Sequence, residues 1–334
     1  MAAPIDQSTK QSPSATPRLP IAISMGDPCG IGPEILVRAL ASPALADDCV
    51  VYGDPGVLQA TAAWLQLPVP PRIEAVTRLR PMPSLGRPDA SAGDAAYRYI
   101  AAAATAARDG QARALVTAPI SKAALQAAGH SYPGHTELLA ELAGGVEVRM
   151  MLANDELRVV LVTVHLALRD AIDALDTQRI RTTLEIADAG LRRAGIARPR
   201  LAVAGLNPHA GEGGLFGREE IDCIAPAIAA ARADGMDASG PYPPDTVFMR
   251  ARGFAHYDAV IAMYHDQGLI PVKYLGIDEG VNVTLGLPFV RTSPDHGTAY
   301  DIAGQGVADP ASLLAAIRLA DELAPDAASI DTPA

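Results

Sequence analysis

Residues 259–273 read AVIAMYHDQGLIPVK, and the fold turns on how this stretch is read. The apolar run from Ala259 to Met263 has the look of a buried strand; it passes Tyr264 and stops at His265 and Asp266. Gln267-Gly268 then turns the chain, and Lys273 comes later in the same connection. A histidine in such a place is either a bystander or a ligand. Two other apolar runs close in the same way: VVLVTVH at His165 and LAVAGLNPH at His209.

Around these three runs, β-rich apolar segments alternate with Ala/Leu-rich helical ones. Strands are expected at 19–26, 49–54, 112–120, 157–165, 200–209, 258–265 and 281–287, with the stretch 67–88 a long irregular connection carrying at most one short strand. Helices are expected at 30–41, 54–66, 91–109, 121–129, 135–143, 176–194, 217–234 and 311–324. Pro33 early in its helix and Ser121 ahead of Lys122-Ala-Ala-Leu are start signals. Alternation of this kind predicts α/β layers around a mostly parallel sheet. In such sheets ligands bind outside the carboxyl ends of strands. Three imidazoles delivered there, with a coordination position left open, would make a catalytic metal arrangement. The alternative is three unrelated histidines, each facing solvent.

Composition narrows the function classes. The chain has 334 residues, 49% of them apolar, with 29 Gly, 28 Pro and a formal charge of −11. That size allows a large core and more than one lobe. The charge argues against nonspecific nucleic-acid binding, which needs a basic footprint, but not against an anionic small substrate. Cys29, Cys49 and Cys223 are widely spaced and form no CxxC, so neither a zinc ribbon nor a disulfide framework is indicated. No run of 18 apolar residues suggests a membrane span. Residues 1–18 are polar and rich in Ser, Thr and Pro, without the apolar centre of a signal peptide, and are expected to form a disordered leader of a cytoplasmic protein.

Anion-binding candidates lie elsewhere. YPGHTE (132–137) puts His135 and Thr136 at a helix start, where backbone N–H groups favour anions. Lys273, Asn282 and Arg291 fall at loop or strand-end positions, and an Arg flanked by apolar residues suits bidentate capture of a phosphate or carboxylate. For each one alone, a surface salt bridge is the competing explanation. MGDPCGIGPE (25–34) is a Gly-rich turn but not G-x-G-x-x-G and not a P-loop.

The ordered series MGDPCGIGPE, TAPISK, GHTE, TVHLALRD, GLNPHAGEGG, AMYHDQGLIPVKY and GVNVTLGLPFVRTSPDHGTAYDIAG resembles the 4-hydroxythreonine-4-phosphate dehydrogenase (PdxA) family of vitamin B6 biosynthesis. The resemblance spans about residues 19–325. It implies a two-lobed fold like isocitrate and isopropylmalate dehydrogenases, with α/β/α layers and an interlobe cleft. One lobe would comprise 19–125 and 285–334, with both termini and the cofactor loop; the other, 126–284, would hold the metal ligands and the dimer interface. It further implies that His165, His209 and His265 bind one divalent metal (zinc, magnesium or cobalt) shared between the subunits of a homodimer. His135, Thr136, Lys273, Asn282 and Arg291 would contact a phosphorylated substrate, and the loop with His296, Gly297 and Asp301 would meet NAD or NADP. Lys273, Asp266 and Asp245 are the candidate bases. Ala167 stands where many members carry Pro. The implied reaction oxidises 4-phosphooxy-L-threonine to a β-keto acid that then decarboxylates. Relatives acting on threonate or erythronate 4-phosphate, or on aromatic cis-diols, mark the alternatives. Less favoured are a metal-dependent aldolase or decarboxylase using no dinucleotide, and a noncatalytic phosphometabolite binder with structural zinc.

Overall fold

The apolar runs form the strands of a single sheet. The computed structural model describes residues 18–276 and 280–324, so the expected leader, apart from Arg18, lies outside the described residues. In chain order the strands are β1 (Ile21–Ser24), β2 (Cys49–Gly53), β3 (Ile73–Ala75), β4 (Ala114–Thr117), β5 (Arg149–Ala153), β6 (Arg158–Leu161), β7 (Arg200–Ala204), β8 (Asp237–Tyr242), β9 (Ala259–Ala262), β10 (Val281–Leu285) and β11 (Val290–Pro294). They lie in the order β3-β2-β1-β4-β11-β10-β5-β6-β9-β7-β8. IAIS in β1 and AVIA in β9 are buried at every position, as strands covered on both faces by helices must be.

Helix starts obey ordinary capping chemistry. The Asp54 carboxylate accepts from the N–H groups of Gly56 and Val57 at the head of helix Pro55–Leu65. Asp89 does the same for the Ala-rich helix Ala90–Arg108, and Ser121 caps Lys122–Ala127 as its sequence position predicts. Among the described residues no helix is long and apolar enough to cross a membrane.

Strand direction, more than strand order, positions the site. β1, β2, β3, β4 and β11 are mutually parallel, and so are β6, β9, β7 and β8. Between the two sets stand three antiparallel pairings, β11 with β10, β10 with β5 and β5 with β6. Three reversals leave the sets running in opposite senses. The carboxyl edge of one set is therefore the amino edge of the other.

The stretch after β9 departs from the expectation of a turn and loop. His265–Leu275 is a helix, with Gly268 and Pro271 inside it. Gly268 serves close packing: a Cβ there would stand 2.5 Å from Leu161 Cδ2 and 2.8 Å from Val159 Cγ1. The expected single helix at 217–234 is instead a π-turn, Glu220–Ile224, leading into Ala225–Ala233. β5, β8 and β11 were not expected as strands.

Candidate active site

Arg291 is the second residue of β11 and is 2% exposed. Its guanidinium donates from Nε (3.2 Å) and Nη2 (2.6 Å) to Thr117 Oγ1, and from Nη1 to Thr284 Oγ1 (2.9 Å). These partners are neutral, and no salt bridge joins it to an acid among the described residues. Burial brings its pKa down to about 9, with only the Glu137 charge opposing. Antiparallel pairing of Asn282 with Ser293 places Asn282 and Thr284 on the face that Arg291 shares. Among the described residues Asn282 Oδ1 is shut off from solvent and has no partner. So is Nε2 of His135, the first residue of helix His135–Leu142, although the residue as a whole is partly exposed. Burial, and then the Arg291 charge, hold His135 well below its usual pKa against a bond to Ala118. Thr136 is next in the same first turn. The uncompensated buried cation can take an anion, while Asn282 Oδ1, an acceptor, suits a hydroxyl or ammonium proton of the same ligand.

Lys273, near the end of helix His265–Leu275, makes an ion pair of 2.6 Å with Asp295, just past β11. Asp295 was not singled out in the sequence. It is one residue from His296 in the expected cofactor loop, so the pair ties that loop to Lys273. Its place directly after a strand was no signal, because β11 is not marked as a strand by the apolar pattern.

The three histidines come after β6, β7 and β9, so they share the carboxyl edge of the second parallel set. His165 and His265 come together, ring centroids 5.9 Å apart, beside a hollow of about 250 Å³ lined also by Leu166, Leu168, Tyr264 and Asp266. His265 Nδ1 donates to Asp266 Oδ1 (2.7 Å), which leaves the Nε2 lone pair free, the arrangement that an outer partner gives a metal-binding imidazole. Asp266 thus has an orienting contact. His209 lies apart from this pair, 6.2 Å from the Phe216 ring on its own loop. Its backbone is left-handed, as are Ala210, Gly211, Glu212 and Gly213 after it. Among the described residues no group of three histidine, cysteine or acidic side chains is close enough to hold a metal ion. The donor chemistry fits a divalent ion, and one chain supplies it in two separated parts.

The 295–306 loop is anchored on the Gly-rich turn after β1. Tyr300 donates to Asp27 Oδ2 (2.5 Å), and Ile31 N–H donates to the Thr298 carbonyl (3.0 Å). Asp27 is fully buried, and burial raises its pKa against the Tyr300 bond. A Cβ on Gly30 would lie 2.8 Å from the Thr298 carbonyl, so the turn's glycine is what lets the loop close on it. His296, Gly297 and Asp301 are exposed on that loop. An exposed carboxylate such as Asp301 is chemistry that suits ribose hydroxyls. Asp245, in the first turn of helix Pro244–Ala251, is exposed, and no polar contact joins it to the other candidates.

A family model described as pyridoxal phosphate biosynthetic protein PdxA matches residues 46–320. A 4-hydroxythreonine-4-phosphate dehydrogenase of Beijerinckia indica is 53% identical over 320 residues, covering 91% of this chain and 95% of its own. A D-threonate 4-phosphate dehydrogenase of Salmonella typhimurium is 49% identical over 323 residues, covering 91% of this chain and 98% of its own. The crystal structure of a 4-hydroxythreonine-4-phosphate dehydrogenase from Klebsiella pneumoniae superposes with a TM-score of 0.86 at 46% identity, covering 92% of this chain and 100% of its own.

Proposed function

The chain belongs to the PdxA family of dehydrogenases, and from that premise we propose that it oxidises 4-phosphooxy-L-threonine with NAD or NADP. The product, 2-amino-3-oxo-4-phosphooxybutanoate, is a β-keto acid that loses carbon dioxide to give 3-amino-2-oxopropyl phosphate, a step toward pyridoxal 5′-phosphate. The observation that carries this reading is the buried Arg291, with only threonine hydroxyls around it and the orphaned His135 Nε2 and Asn282 Oδ1 on hand. An anionic substrate group would supply the missing charge, with Thr136 completing the helix-start side of the pocket.

A divalent ion on His165, His209 and His265 would lower the pKa of the substrate's secondary hydroxyl, and a bound nicotinamide would take the hydride. The chain's own part is positioning and proton handling. Asp266 holds the His265 ring by Nδ1. We assign the proton handling to the Lys273–Asp295 pair: the ammonium passes a proton to Asp295 at 2.6 Å, and the Nζ so freed takes the hydroxyl proton. His296, Gly297 and Asp301 would hold the dinucleotide on a loop anchored to Asp27 by Tyr300. The separation of His209 from the His165–His265 pair supports a homodimer that shares its metal sites. Three buried, free cysteines accord with a reducing cytoplasm.

Relatives named for D-threonate 4-phosphate, at 49% identity, favour that acid as a second reading. Reduced-nicotinamide absorbance decides: chelator-stripped protein is assayed with each phosphate and NAD or NADP, then with zinc, magnesium or cobalt restored. Metal-dependent turnover with 4-phosphooxy-threonine, faster than with threonate 4-phosphate, is expected. Preference for threonate moves the assignment to the second reading, and no turnover with either sinks both.

A further inference from the structure

One side chain joins the strand ends that carry the three histidines. Gln267, two residues after His265, is buried. Its Oε1 accepts from the Met263 N–H (2.6 Å), and its Nε2 donates to the Gly205 carbonyl (2.7 Å). Met263 lies two residues before His265, and its carbonyl accepts from both N (3.2 Å) and Oγ1 (2.8 Å) of Thr163, two residues before His165. Gly205 lies four residues before His209. Beyond it the Glu220 carboxylate accepts from the N–H groups of Leu206 and Asn207 (2.8 Å each) and from Asn207 Nδ2 (2.9 Å). A continuous hydrogen-bonded chain therefore runs from Thr163 through Met263, Gln267 and Gly205 to the turn that presents His209.

That turn cannot hold itself. His209, Ala210 and Glu212 have φ of 53°, 53° and 43°, a region that L-residues rarely adopt because Cβ crowds the following carbonyl. Such backbone persists only where its surroundings over-determine it. A Cβ on Gly211 would come within 2.6 Å of Glu220 Oε2, so the buried carboxylate is packed directly under the turn.

We propose that Gln267 is a positioning residue for the metal site: through Met263 and Gly205 it fixes where His209 stands relative to His165 and His265. The proposal rests on the reading of these histidines as metal ligands. If the ion is shared by two copies, the brace still matters, because each copy must offer both halves of the ligand set at the spacing its partner's surface requires. Imidazole nitrogens bind at about 2.0–2.1 Å, so a small shift of one ligand is felt in affinity.

The test is a cobalt(II) titration of the full-length, metal-stripped protein at pH 8, read by the visible absorption of the bound ion rather than by turnover. Gln267→Met removes both bonds. Gln267→Glu keeps an acceptor for Met263 N–H, and so the local fold, but sets a carboxylate against the Gly205 carbonyl. Circular dichroism and a cooperative melt establish that each variant is folded. The expected result is cobalt affinity lower by about 10-fold in both variants, with a changed band shape; this is the low end of the range for groups bonded directly to a ligand, since Gln267 acts one bond further out. Wild-type affinity and band shape in a folded Gln267→Glu protein would overturn the proposal. If the wild-type protein itself binds no cobalt, the metal reading fails, and this proposal with it.

Discussion

A guanidinium buried without a carboxylate is held against its own solvation. In the unliganded protein Arg291 has only the Thr117 and Thr284 hydroxyls to replace water, and its pKa of about 9 expresses that cost. Replacing it with an apolar chain of similar length should relieve the fold and destroy the pocket together. Arg291→Met is expected to melt several degrees higher than wild type without ligand, to lose the upward melting shift that phosphate gives the wild type, and to lose about 30-fold or more in kcat/KM. Calorimetry with and without phosphate checks it; an Arg291→Met protein that melts lower would mean the cation is already compensated. His135 gives the pH dependence. Its folded pKa is depressed below the ordinary 6.5, so between those two values the unfolded chain binds the extra proton. Stability that is complete above about pH 6.5 should therefore fall as pH drops from there toward the folded value. In His135→Gln that slope should flatten, as urea melts at pH 5 and pH 7.5 would reveal.

At the scale of elements, the strands were legible wherever a short apolar run was bounded by polar or turn residues: β1, β2, β4, β6, β7, β9 and β10 all fall inside segments the apolar pattern marks. The losses have particular causes. DASGPY of β8 carries Gly and Pro, which read as a turn and are tolerated at the sheet's edge. VRTSP of β11 carries Arg291 as its second residue and ends in Pro294, so its strand character was hidden by a charge and a breaker. β5 is joined to β6 by a tight reversal in which Asn154 Oδ1 accepts from Glu156 and Leu157 N–H, and that side-chain turn went unread. Of the candidate site, the residues were visible as types, but their grouping was not. Asn282 and Arg291 are close in the chain, on the paired strands β10 and β11, but His135 comes from a distant helix start, and their burial is a property of the sheet. The helix His265–Leu275 was missed because Gly268 and Pro271 are breakers in isolation. Here Gly268 is a contact residue, and Gly268→Ala should show it. A methyl pressed into Leu161 and Val159 is expected to cost roughly 1–3 kcal/mol. The gain of about 1 kcal/mol that Ala brings to a helix interior should not offset it. A denaturant melt showing the variant more stable than wild type would refute the packing account.

On the scale of the whole molecule, the opposed sense of the two parallel sets decides how a complete site can form. The histidines stand at the carboxyl edge of one set, and the helix His265–Leu275 leads back along the sheet from that edge. Its rise of about 1.5 Å per residue puts Lys273 about 12 Å further on, where it meets Asp295 at the end of β11. On the proposed reading, one chain carries all the anion contacts but holds the three histidines in more than one group. The surface beside these histidines is apolar: Leu166, Leu168, Leu215 and Phe216 are 50%, 57%, 72% and 50% exposed, and they flank His165 and His209. Large apolar side chains grouped in this way are what a subunit interface covers. Phe216→Asp therefore separates the two halves of the mechanism. A charge that must be desolvated in the interface should give a monomer by sedimentation, and cobalt affinity should fall at least about 100-fold as the ligand set can no longer close. Turnover should disappear with it. The upward melting shift caused by phosphate should survive, because Arg291, His135 and Asn282 all belong to one chain. A monomer that keeps metal-dependent turnover would show that a single copy can bring His209 to the other two histidines, and the shared site would have to be given up. A monomer that also loses the phosphate shift would place the anion pocket, too, under the control of the interface.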